Sequence, residues 1–182
     1  MSIKVYDNVF DPHWINQLSF DLLNLNWDLN NLANRKGWPY ANIGTHRMLG
    51  HCFLDSNGTG LNVNLNNVLI NAYNQHIRHI IKKPNLKLIS ISANCQFKGM
   101  DGTFHTDGND NDHSIVLMLY YPEKNVTGGD FIYQLTNKKI NFKQGRLIHF
   151  IASHKHRAKA FNEKDIPRFS IKWVATDVNE KL

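Results

Sequence analysis

The sequence predicts a mostly β protein in which two helices precede and flank a closed array of short strands. Three observations carry that prediction. Apolar residues recur at helical spacing only in the first half of the chain, over about 12–25 and about 61–81. After Pro84, short runs of strand-like composition follow one another, separated by Gly, Asn, Asp and Pro. No helical pattern interrupts these runs, so strand must pair with strand, and seven or eight short strands imply a sandwich or barrel.

The first helix opens on Phe10-Asp11-Pro12. Asp11 can cap it, and Pro12 suits its first position. Phe10 and Ile15 occupy staple positions, and Trp14, Leu18, Leu22 and Leu25 form one apolar stripe. From Asn30 to Gly60 the periodicity dissolves into a loop-rich, aromatic-bearing segment punctuated by Gly37, Pro39, Gly44, Gly50 and Gly58. Loops this long are commonly lids or binding surfaces. In the second helix Leu65, Val68, Leu69, Ala72, Tyr73, Ile77, Ile80 and Ile81 repeat at helical spacing until Lys82-Lys83-Pro84 ends it. The strands are then expected over 86–97, 103–107, 114–121, 130–135, 139–142, 146–152, 156–161 and 168–175. No repeat, linker or low-complexity tail divides the chain. One domain over residues 1–182 is expected, with helical support over about 1–85 and a β core over about 86–176.

Composition narrows the function classes. No stretch of about 18 apolar residues occurs, so no transmembrane helix is expected. The beginning MSIKVYDNVF lacks the basic region and apolar run of a signal peptide. Two cysteines, Cys52 and Cys95, without a CxxC pair, suit a reducing, cytoplasmic setting. The net charge of +6 permits nucleic acid or acidic partners, yet no basic run exceeds Lys82-Lys83 or Lys138-Lys139. A generally basic solvated surface is the plainer reading.

The chemistry-bearing residues lie in the β half. In a strand, residues two apart project on one face, so His105 and Asp107 could grip one metal together. Two histidines and a carboxylate on one face of an octahedron leave positions open for a co-substrate and O2, which suits non-haem Fe(II). Alone, the His-x-Asp triplet says little, since about 0.7 arise by chance in a chain of this composition. A cluster of three histidines follows at His149, His154 and His156, any of which is eligible as the third ligand. Arg168 and Ser170 share one face of the last strand, and a guanidinium beside a hydroxyl matches a carboxylate.

Four stretches in this order resemble the Fe(II)/2-oxoglutarate oxygenases, and within them the prolyl 4-hydroxylase-like branch. They are Ala93-Asn94-Cys95-Gln96-Phe97-Lys98-Gly99 through His105-Thr106-Asp107; Leu119-Tyr120-Tyr121-Pro122 to Gly128-Gly129-Asp130-Phe131; Gly145-Arg146-Leu147-Ile148-His149-Phe150 to His156-Arg157; and Arg168-Phe169-Ser170-Ile171-Lys172-Trp173. The resemblance implies a double-stranded β-helix, a jelly-roll core of cupin-like type. It implies His105, Asp107 and His156 as iron ligands, because the family's distal histidine lies six residues after the phenylalanine matched by Phe150. It implies Arg168, assisted by Ser170 and Tyr121, on the far carboxylate of 2-oxoglutarate, with Asn94 and Gln96 as polar co-substrate contacts and Phe131 as a pocket wall.

The resemblance further implies Fe(II), 2-oxoglutarate and O2 as cofactors, with ascorbate a further candidate. The reaction implied is hydroxylation of a C–H bond coupled to oxidative decarboxylation of 2-oxoglutarate, with no catalytic residue beyond the metal ligands. A prolyl residue of a peptide is the first candidate substrate, and a small molecule the wider class. Trp38, Tyr40, His46 and Arg47 could line its groove. Two departures are present. Trp173 lies five residues after Arg168 rather than six, and a turn over Asn162–Pro167 lengthens the approach to Arg168. Two rival readings are an oxidative demethylase of alkylated nucleic acid and a cupin-like metal-binding domain without oxygenase turnover. The first usually carries a second arginine where this chain has Val174, and the second leaves Arg168 without a purpose.

Overall fold

In the computed structural model the described residues are 3–31, 48–58, 63–120 and 125–178. Trp38, Tyr40, His46, Arg47 and Tyr121 lie outside them.

The helices form for the reasons read from sequence. Helix α1 runs from Pro12 to Leu23, and the Asp11 carboxylate accepts from the backbone N–H groups of His13 at 2.7 Å and Trp14 at 3.2 Å. Phe10 stacks on Trp14, with ring centroids 5.0 Å apart. Helix α2 covers Val63–Ala72, continues through a wider π turn over Tyr73–Ile77, and ends with Arg78–Ile80.

Among the described residues ten strands make two antiparallel sheets. They are β1 (Lys4–Tyr6), β2 (Asp28–Asn31), β3 (Met48–Leu54), β4 (Leu86–Gln96), β5 (Asp112–Tyr120), β6 (Phe131–Tyr133), β7 (Lys138–Ile140), β8 (Leu147–Ile151), β9 (His156–Ala158) and β10 (Arg168–Asp177). The larger sheet has the order β1-β8-β5-β10-β4-β3-β2, and the smaller β7-β6-β9. The last strand, β10, is therefore the middle of the larger sheet. It pairs with β4 from Arg168↔Gln96 and with β5 from Arg168↔Tyr120. Two expectations change. The strand expected over 103–107 shrinks to one bridge, His105↔His156, and the segment read as loop contributes β2 and β3.

Alternation along the strands separates two cores. One face of the larger sheet, with Ile91, Ile115, Leu117, Leu147, Phe169, Ile171 and Trp173, packs against Leu18 and Leu22 of α1 and Leu65, Leu69 and Tyr73 of α2. The buried Trp173 donates its Nε1–H to Leu69 O at 3.1 Å, tying the sheet to α2. The other face, with Val116, Met118, Ile148 and Phe150, meets Phe131, Tyr133 and Ile140 of the smaller sheet. The two sheets thus face each other as the halves of a jelly roll, and the polar residues of β10 point between them.

Candidate active site

His105 and Asp107 lie on the connection from β4 to β5, and His156 opens β9. Backbone pairing brings them together. His105 and His156 exchange hydrogen bonds, N to O, at 3.1 and 3.0 Å, and the Asp107 N–H donates to Ala152 O at 2.8 Å. One ligand atom from each of the three residues falls in a cluster no wider than 4.8 Å. His156 Nε2 is 3.2 Å from Asp107 Oδ2, and His105 Nε2 is 3.7 Å from Asp107 Oδ1.

Each imidazole is oriented through its other nitrogen. His105 Nδ1 lies 2.9 Å from Thr103 O and His156 Nδ1 3.0 Å from His154 O, contacts that only an N–H can make, so Nε2 carries the lone pair toward the cluster. His156 stacks on Phe131 at 5.3 Å and abuts Phe150 at 4.6 Å. Burial, and then the neighbouring His156, push the His105 imidazole down to about 4, so it is neutral and able to ligate at neutral pH. Burial alone would raise the Asp107 carboxyl, but the Lys172 ammonium and the two histidines outweigh it and hold the carboxyl well below its usual range.

The other two histidines of the cluster lie elsewhere. His149 is on the helix-facing side of β8, its Nε2 2.9 Å from His113 Nδ1. His154 is not one of the three clustered residues, and its ring hydrogen-bonds the Tyr133 hydroxyl. Only its main-chain carbonyl serves the centre, by orienting His156.

Arg168 is completely buried at the start of β10. Its Nε donates to Gly129 O and its Nη1 to Gln96 Oε1, both at 3.0 Å, while Nη2 has no partner among the described residues. A buried guanidinium nitrogen left unpaired is costly unless an anion completes it. Burial pulls the guanidinium down to about 10, which leaves it charged at neutral pH. Gln96 donates its amide nitrogen to Met100 O at 2.7 Å and to Ala158 O at 3.3 Å, so both ends of its side chain are engaged within the protein. Gln96 therefore aims Arg168. Ser170 is buried on the same face of β10, and Asn94 stands beside it in register, half-buried.

Two residues of the site were not singled out from sequence. Ser114 on β5 donates to Asp107 Oδ2 at 2.8 Å, and Lys172 Nζ lies 2.5 Å from Asp107 Oδ1. Lys172 was legible in principle, since Arg168, Ser170 and Lys172 alternate on one face of a strand. Nothing local marks Ser114.

No family model matches the chain, and no curated protein matches it. Solved structures do match in fold. A 2OG-Fe(II) oxygenase-family oxidoreductase from Burkholderia pseudomallei superimposes with a TM-score of 0.74 at 15% identity, covering 97% of this chain and 86% of its own. A Trichoplax adhaerens prolyl hydroxylase, determined with a hypoxia-inducible-factor degradation-domain peptide, matches at 0.67 and 14% identity over 96% and 83%. An α-ketoglutarate-dependent epimerase from nogalamycin biosynthesis matches at 0.63 and 13% identity over 96% and 77%. The fold is that of the 2-oxoglutarate/Fe(II) oxygenases with their jelly-roll core. Prolyl hydroxylases are among the chains that share it.

Proposed function

We propose that the chain is a single-domain Fe(II)/2-oxoglutarate-dependent dioxygenase that hydroxylates a C–H bond, with a prolyl residue of a peptide as the first substrate to test. The observation that carries this reading is Arg168 Nη2, without a partner among the described residues and completely buried between the same two sheets that hold the His105–Asp107–His156 cluster. A metal site alone fits many functions. A metal site with a buried cation left one bond short fits a dicarboxylate co-substrate.

His105, Asp107 and His156 would hold Fe(II), and their two-nitrogen, one-oxygen donor set suits that ion. Arg168 would take the far carboxylate of 2-oxoglutarate, with Ser170 and Tyr121 assisting, Asn94 as a polar contact and Phe131 as the wall against His156. When bound, iron, 2-oxoglutarate and O2 would supply the oxidising power that turns C–H into C–OH, with succinate and CO2 as co-products. The protein's own contribution is placement. Thr103 O and His154 O fix the imidazoles, Ser114 fixes the carboxylate, and Gln96 and Gly129 O fix the guanidinium. Phe131, Phe150 and Tyr133 keep water from the inner side.

Among the described residues no helix is long and apolar enough to cross a membrane. Cys52 and Cys95 are free thiols, which supports a cytoplasmic setting.

The test is anaerobic titration of the metal-free protein with Fe(II) and 2-oxoglutarate. A weak visible charge-transfer band that needs both components, followed by iron-dependent succinate formation in air, is the expected result. Iron binding without the band would favour a cupin-like metal protein.

A further inference from the structure

The oxygenase reading makes no use of the charge on Lys172. Its Nζ is 2.5 Å from Asp107 Oδ1, and its side chain is 23% exposed whereas that of Asp107 is 2% exposed. The strand positions level with it, Ser92 on β4 and Val116 on β5, carry no charge. Among the described residues, Lys172 is the only Lys or Arg within ion-pair distance of the Asp107 carboxylate.

Two roles are open to such a cation. It could orient the carboxylate, in which case removing it would weaken metal binding. It could instead balance the buried negative charge, in which case removing it would strengthen metal binding. Orientation is already provided without it. Ser114 Oγ donates to Asp107 Oδ2 at 2.8 Å, and the Asp107 backbone is anchored to Ala152 O. The ammonium stands 2.5 Å from Oδ1, the oxygen that Ser114 does not hold, so what it adds there is charge. A metal ion that takes Asp107 as a ligand meets a carboxylate already paired with an ammonium, and two cations on one buried anion repel.

We propose that Lys172 is the counter-ion of the metal-free centre, a positioning residue that acts through Asp107 and sets how tightly the triad binds a divalent metal. This rests on the triad being a metal centre, as argued above. Loading the centre requires the ion to share or displace the ammonium, so Lys172 lowers metal affinity while it stabilises the empty protein.

The experiment is binding of Co(II) to the full chain without 2-oxoglutarate or O2, read from the visible Co(II) spectrum and from melting temperature. Lys172→Gln keeps a donor to Asp107 but removes the charge, and Lys172→Met removes both. Each is expected to bind Co(II) at least tenfold more tightly than wild type. Each should melt lower without metal and recover more on adding it. Lys172→Arg should restore wild-type affinity. If Lys172→Met does not fold, Lys172→Gln decides alone. Equal or weaker Co(II) binding by the Gln variant overturns the proposal. His105→Ala serves as the control: if it binds Co(II) as wild type does, the triad is not the metal centre and the oxygenase reading fails. Loss of binding in His105→Ala together with unchanged binding in Lys172→Gln overturns only the role of Lys172.

Discussion

The buried guanidinium of Arg168 and the amide of Gln96 are joined by a 3.0 Å hydrogen bond across adjacent strands, in direct register. The bond uses Nη1 and leaves Nη2 as the open donor. Gln96 is pinned in turn by Met100 O and Ala158 O. The direction in which Arg168 presents its free nitrogen is therefore set by a residue that offers no free group of its own.

Arg168→Met is expected to weaken 2-oxoglutarate binding by about 2–5 kcal/mol, the usual loss when a buried ionic partner is removed. Gln96→Leu should weaken it by roughly 10-fold, because the guanidinium remains but loses its aim and gains a second orphaned donor. Titration of 2-oxoglutarate into the Fe(II) protein, followed by the visible band, checks both. Unchanged affinity in Arg168→Met would remove Arg168 from the co-substrate site.

The distal ligand is tested by a pair of substitutions. His156→Ala is expected to abolish iron binding. His154→Ala should leave most of it, since His154 serves the centre through its backbone carbonyl. Iron content after reconstitution and desalting reads both, and the opposite pattern would make His154 the ligand.

Stability should fall in mild acid because of a site remote from the triad. His113 Nε2 is 3.1 Å from Asp177 Oδ2 and its Nδ1 is 2.9 Å from His149 Nε2, while the buried His149 Nδ1 has no partner among the described residues. Burial, and then the neighbouring His113, hold the His149 imidazole at about 3, against 6.5 when free. Between those values the unfolded chain binds a proton that the folded chain does not. This contribution is fully present above about pH 6.5 and is lost as pH falls toward about 3, amounting to about 2 kcal/mol by about pH 5. Urea denaturation with chelator at both pH values, wild type against His149→Gln, measures it. The variant should show a shallower pH dependence; an identical slope would assign the effect to the buried carboxylates.

Gly129 should tolerate no side chain. Its φ is +70°, and an added Cβ would sit 2.4 Å from the Phe161 ring. Its carbonyl also receives Arg168 Nε. Gly129→Ala is expected to cost about 1–3 kcal/mol in stability and to weaken 2-oxoglutarate binding along with it. Thermal melting and the visible-band titration report the two effects separately.

What the chain announces locally, it builds. Asp11-Pro12 starts α1, the helical repeat from Leu65 to Ile80 is α2, and the alternation in β5, β8 and β10 sorts each strand into a helix-facing and a barrel-facing side. The shared face of Arg168 and Ser170 was visible for the same reason: strand faces follow a period that sequence displays. Tertiary pairing decided the rest. β1 and β3 are strands because Lys4 meets His149 and Leu49 meets Cys95, pairings with no local signature. That His156 bridges to His105, and that Lys172 reaches Asp107 from 65 residues along the chain, follows from pairings no local pattern displays. Periodicity tells a residue which face it occupies. Only the folded chain tells it what stands opposite, because that depends on the register of strands that sequence leaves unpaired.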